Sequence, residues 1–139
     1  MSFDSHDRAL LAALADVLIP SAEGMPSASQ ADVGGQWLDA VLTARPDLAG
    51  GLDDVLDKAR DRNPRDVVSE LRANDPAAFG VLAEIVSGAY FMNPDVRQAI
   101  GYAGQERRPM DPRPDYMEDG LLESVIRRGP IYRPTPGNI

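Results

Sequence analysis

The chain has 139 residues, 43% hydrophobic and 26% charged, a composition that suits one soluble globular domain and argues against disorder along its whole length. Asp and Glu outnumber Lys and Arg 22 to 14, a formal charge of −8, so a polyanionic partner such as nucleic acid is repelled. No cysteine is present, which excludes disulfides, thiolate nucleophiles and cysteine-ligated zinc or iron–sulfur centres.

The first predicted helix runs from Asp4 or Ser5 to Ile19. Either residue can cap its free amides, and Asp7 adds negative charge at the positive end of the helix dipole. Leu10, Leu11, Leu14, Val17 and Leu18 recur at helical spacing, and Pro20 stops the element. Asp4 and Asp7 precede this apolar run and Asp16 interrupts it, unlike the basic start and clean apolar core of a secretory leader. No apolar stretch approaches the roughly 20 residues that a membrane-spanning helix needs. The expectation is a cytoplasmic protein, or a periplasmic one if a leader has been removed or a partner carries the chain through export.

SAEGMPSAS reads as a loop. A second helix is expected from near Ser29, with Asp32 in a loose capping arrangement and Val33, Trp37, Leu38, Val41 and Leu42 on a wide buried face. Trp37 reads as a core anchor, with cofactor stacking as its alternative. Arg45-Pro46 ends that helix. A third is expected from Pro46 to Arg62, with Gly50-Gly51 weakening its first turn. Asn63-Pro64, Asp75-Pro76 and Asn93-Pro94 are three starts of one kind, each a capping side chain followed by proline at the first helical position. They open a short fourth helix with Val67, Val68 and Leu71, a fifth from Pro76 to Met92, and a short sixth with Val96 and Ile100.

From Gly101 to Tyr116 no apolar period survives, and Tyr102, Met110 and Tyr116 suggest an ordered loop. A last helix is expected from about Met117 to Arg128, ended by Gly129-Pro130, with IYRPTPGNI as an extended tail. No stretch alternates as a strand does. The predicted fold is all-α: an irregular bundle of six or seven short helices over residues 1–129, with a Pro/Gly-rich loop and a C-terminal tail over 130–139.

Catalytic groups are few. His6 is the sole histidine, so neither a Ser-His-Asp triad nor a multi-histidine metal site can be built within one chain. It reads as a solvated side chain at a helix start. Asp53, Asp54, Asp57 and Asp61 read as a solvated face, partly paired with Lys58, Arg60 and Arg62. Gly101-Tyr102-Ala103-Gly104 follows no strand and is not a nucleotide fingerprint; its glycines suit positive φ or close packing. Arg107 and Arg108 could clamp an anion, against the simpler reading of an exposed pair balanced by Glu106 and Asp111. No catalytic, cofactor-binding or metal-ligating residue is assigned.

The order of two stretches, LLAALADVLIP and AYFMNPDVRQAIGYAGQ, resembles the small-subunit family of gluconate 2-dehydrogenase, its subunit 3. The shared features are a Leu-Ala-Asp-x-Ile-Pro-like helix end, a Pro/Gly/Ala loop and a helix with valine and a bulky aromatic (Val33, Trp37). Tyr90-Phe91, Asn93-Pro94 and a Gly-Tyr-x-Gly turn follow, so that the resemblance covers roughly Leu10 to Gln105. It implies a non-catalytic partner that helps a large FAD-dependent dehydrogenase of the glucose–methanol–choline type to fold, stay soluble or be exported. The FAD and the sugar or alcohol oxidation would then belong to the large subunit, and this chain would be one part of a hetero-oligomer. Many relatives carry a twin-arginine leader and some complexes add a cytochrome subunit, whereas neither a leader nor a haem-attachment motif is visible here. The expected partner-binding residues are Tyr102, Arg107, Arg108, Tyr116, Ile131 and Tyr132, on the loop and the tail. The alternatives are a stand-alone anion- or ligand-binding bundle or small enzyme using Tyr102, Arg107, Arg108 and Tyr116, and a structural homo-oligomer.

Overall fold

A computed structural model describes residues 3–105 and 119–131. Seven helices are present among them: α1 Ser5–Leu18, α2 Gln36–Ala44, α3 Leu48–Ala59, α4 Pro64–Asn74, α5 Pro76–Met92, α6 Pro94–Ala99 and α7 Glu123–Arg128. No strand occurs among the described residues, and Ala22 and Met25 form an isolated bridge. The fold is all-α. Contacts divide the chain into two compact units, Met1–Gly104 and Gln105–Ile139, so α1 to α6 belong to the first and α7 to the second.

The helix starts follow from local chemistry. Asp4 accepts from the amides of His6 and Asp7, while Asp7 reaches back to the amide of Asp4, a capping box that opens α1. Asn63, Asp75 and Asn93 cap α4, α5 and α6, each with proline at the first helical position.

In the first unit α5 is the centre of packing, touching α2, α3, α4 and α6, while α1 lies against α3 and α4. Its sequence, PAAFGVLAEIVSGAYFM, is apolar on nearly every side, as a helix covered from several directions must be. Leu82, Ile85, Val86, Ala89 and Tyr90 are buried there, joined by Leu11, Leu14, Leu52, Val55, Leu56, Val67 and Leu71 from α1, α3 and α4. α3 runs unbroken through Gly50-Gly51; a Cβ at Gly51 would lie 3.1 Å from Val81, so this glycine lets α3 approach α5 closely.

Several expectations are corrected. No helix starts at Ser29; residues 29–35 form turns and α2 begins at Gln36. The cause lies outside the segment. Arg8 donates through Nη1 to the carbonyls of Gly34 and Gly35, both at 3.0 Å, and Asp16 holds the Ser29 amide and hydroxyl at 2.8 and 2.7 Å. Those contacts hold the backbone in turns, with Asp32 at φ 59°. Val33 is buried but from a turn, and Trp37 is only half-buried against the core. Ile100 and Phe91, apolar residues at the ends of the sixth and fifth helices, are about half exposed, at 51% and 50%. α7 begins at Glu123, later than the expected Met117, which lies outside the described residues.

Candidate functional site: the α5–α6 corner

α5 ends where Asn93 turns extended, at φ −65° and ψ 122°, because the following Pro94 disfavours a helical residue before it. The Asn93 side chain then works at both ends. Its Oδ1 accepts from the Asp95 amide at 2.8 Å, capping α6, and its Nδ2 donates to the Ala31 carbonyl at 3.0 Å. One turn earlier, the Tyr90 hydroxyl donates to the Pro26 carbonyl at 2.7 Å, and burial raises the pKa of that phenol. The corner is thereby tied to the loop that follows α1.

The exit from α6 is equally defined. Tyr102 N donates to Arg97 O at 2.8 Å and Gly101 N to Gln98 O at 3.0 Å, with Gly101 at φ 72°. This is the Schellman pairing, and its left-handed position explains why glycine follows Ile100. The Gly-Tyr step therefore stops a helix.

Between α6 and this turn lies a groove of about 410 Å³, lined among the described residues by Pro94, Arg97, Gln98, Gly101, Tyr102 and Ala103. The Tyr102 residue is 49% exposed. Arg97 is half-buried; its Nε is covered and has no hydrogen-bond partner among the described residues. A buried donor in that state carries a desolvation cost of about 1–3 kcal/mol.

Two other concavities of the first unit differ in that respect. In one, beside Ser5, Ala12 and Gly34, Arg8 bonds with all three guanidinium nitrogens, to Phe3, Gly34, Gly35 and Asp39. In the other, beside Gly51 and Val81, the Lys58 ammonium is paired with Asp75 at 2.8 Å. That pairing raises the Lys58 pKa and lowers that of Asp75. At and just beyond the end of α3 the charges are also paired: Arg60 spans Asp57 and Asp7, and Arg62 pairs with Glu70. His6 is exposed. Among the described residues no group of three or more His, Asp or Glu side chains is placed to hold a metal ion.

Of the residues expected to contact a partner, Tyr102 stands on the groove. Ile131, in the second unit, is exposed at 70%. Arg107, Arg108, Tyr116 and Tyr132 lie outside the described residues. In the second unit Leu121, Val125 and Ile126 are also exposed, beside Arg127 and Arg128 in the last turn of α7. Sequence reasoning passed over Arg97 and Gln98. The signal that could have found them is the glycine stop itself, since in a Schellman exit the residue after glycine folds back over the position five before it. No helix among the described residues is long and apolar enough to cross a membrane. No family model, curated protein or solved structure matches the chain.

Proposed function

We propose that this chain is the non-catalytic small subunit of a two-component FAD-dependent sugar or alcohol dehydrogenase, of the kind that gluconate 2-dehydrogenase subunit 3 represents. One observation carries the reading. The α5–α6 corner, which carries the second stretch of the resemblance, is bonded by Tyr90–Pro26 and Asn93–Ala31 to the Pro/Gly/Ala loop that follows the first stretch. The loop and the corner, both parts of the resemblance, thus form one shaped surface.

That corner leaves Phe91, Ile100 and Tyr102 about half exposed, and the second unit leaves Leu121, Ile126 and Ile131 more exposed still. Apolar surface of this kind suits a subunit that stays bound to another protein. The chain itself would bind no cofactor, with FAD held by the large subunit. Tyr102 and Ile131 are the described residues to which the docking role is assigned, with Arg107, Arg108, Tyr116 and Tyr132 assigned to it from the sequence.

The test is coexpression with a large FAD-dependent dehydrogenase subunit of the glucose–methanol–choline type, assayed with an artificial electron acceptor. Soluble activity should fall sharply when this chain is omitted. Full soluble activity without it would overturn the proposal.

A further inference from the structure

We infer that the groove between α6 and the Gly101 turn receives one carboxylate, carried on an apolar segment of a protein partner, and that Arg97 is the residue that grips it. The inference deepens the subunit reading and rests on it for the identity of the partner.

Charge pairing singles out Arg97. Between Met1 and Gly104 acidic side chains outnumber basic ones sixteen to eight, so most cations there find a carboxylate within the fold. Arg8, Arg45, Lys58, Arg60 and Arg62 all hold ion pairs. Arg65, Arg72 and Arg97 hold none among the described residues, and the first two are exposed. Arg97 alone of these three is half-buried and lines a groove. No carboxylate among the described residues anchors it, so a ligand that enters the groove would have to draw Nε–H and one Nη–H toward itself. Side-on binding of a carboxylate uses that pair of donors and satisfies the Nε–H that has no acceptor among the described residues.

The rest of the lining selects the class of ligand. Pro94, Gly101, Ala103 and the Tyr102 ring give apolar contact, and Gln98 adds a neutral amide. A phosphate or other polyanion would meet one cation in a strongly acidic unit, which is a poor match. An aspartate or glutamate flanked by aliphatic side chains fits both the lone positive charge and the apolar walls. An open groove of about 410 Å³ accommodates a short extended segment of that kind.

The experiment is a titration of the full chain, followed by ¹H–¹⁵N NMR, with N-acetyl-Leu-Glu-Leu-amide and with its Leu-Gln-Leu counterpart. The Glu peptide should move the Arg97 Nε–H signal and the Gly101 and Tyr102 amides, and the Gln peptide should bind at least about tenfold more weakly, as expected for loss of a charge-assisted pair. Arg97→Gln should abolish the difference between the peptides, and Tyr102→Ala, at a half-exposed ring, should weaken both. Equal shifts with both peptides, or none, would overturn the inference. So would stronger binding of inorganic phosphate, or concentration-dependent self-association that Arg97→Gln removes, which would assign the groove to a second copy of the chain. A parallel copurification with the coexpressed FAD-dependent subunit separates the two readings. If wild type and Arg97→Gln copurify equally, the groove assignment fails and the subunit reading stands. If the wild-type chain does not copurify at all, the subunit reading fails.

Discussion

Asn93 and Ala31 lie 62 positions apart and are joined by a 3.0 Å hydrogen bond from the Asn93 side-chain amide to the Ala31 carbonyl. The same side chain caps α6 through its carbonyl oxygen. A single residue thus starts one helix and fastens it to the loop after another.

This double use predicts a graded mutational response. Asn93→Ala loses both the cap and the cross-link, for a cost of about 2 kcal/mol, taking about 1 kcal/mol for each. Asn93→Ser keeps a capping oxygen but cannot reach Ala31, so about half of that loss is expected. Urea unfolding with an unchanged slope measures both values. Equal stability of the two variants would show that one of the two bonds contributes nothing.

Tyr90→Phe removes the bond to Pro26 and is expected to cost about 1 kcal/mol at neutral pH. Burial raises the folded-state pKa of this phenol above its ordinary value of 10.0. The neutral form is therefore favoured in the folded chain, and its contribution is complete below pH 10.0 and is lost as pH rises through the folded-state value. Wild-type stability should fall more steeply above pH 10.0 than that of Tyr90→Phe, measured by thermal melts across the range.

Acid acts through the opposite sign. Burial raises the pKa of Asp16, but the Ser29 amide and hydroxyl and the Ser27 hydroxyl outweigh it, leaving Asp16 below its ordinary 3.8. Asp75 is lowered by Lys58 and by the Ala78 amide that it caps. The unfolded chain then binds more protons, so this stability is present above pH 3.8 and is lost as pH falls through the folded-state values. Asp16→Asn should be less stable than wild type at neutral pH and lose less stability on acidification. Parallel acid profiles for the two proteins would contradict the role given to Asp16.

Adjacent glycines in α3 should respond differently. A Cβ at Gly50 meets nothing within 4 Å, so Gly50→Ala should gain about 0.5–1 kcal/mol from backbone entropy alone. A Cβ at Gly51 would press on Val81 at 3.1 Å, and the same substitution there should forfeit most of that gain. Denaturation midpoints of the two variants report the difference.

How much of this was legible depended on range. Asn63, Asp75 and Asn93 followed by proline mark their helix starts because cap and first turn are only two or three residues apart. Residues 29–35 misled because Arg8 and Asp16, distant in sequence, hold that backbone in turns that its own pattern does not announce. Phe91 and Ile100 are apolar, yet both are about half exposed, because burial depends on which side of a helix faces its neighbours and hydrophobicity alone does not fix that. Tyr102 could be picked out as an aromatic beside glycines. The glycine stop at Gly101 could have pointed to the position of Arg97, but not to its covered Nε without a hydrogen-bond partner among the described residues, which depends on the packing around it.

The most direct test of the α5–α6 corner as the docking surface of a subunit is hydrogen exchange on this chain, alone and in complex with the coexpressed FAD-dependent subunit. The account predicts slowed exchange on binding across Asp95–Ala103, the α6 helix and its Schellman turn. Protection confined to the solvated acidic face of α3, with Asp95–Ala103 unchanged, would contradict it, as would failure of the two chains to form a complex.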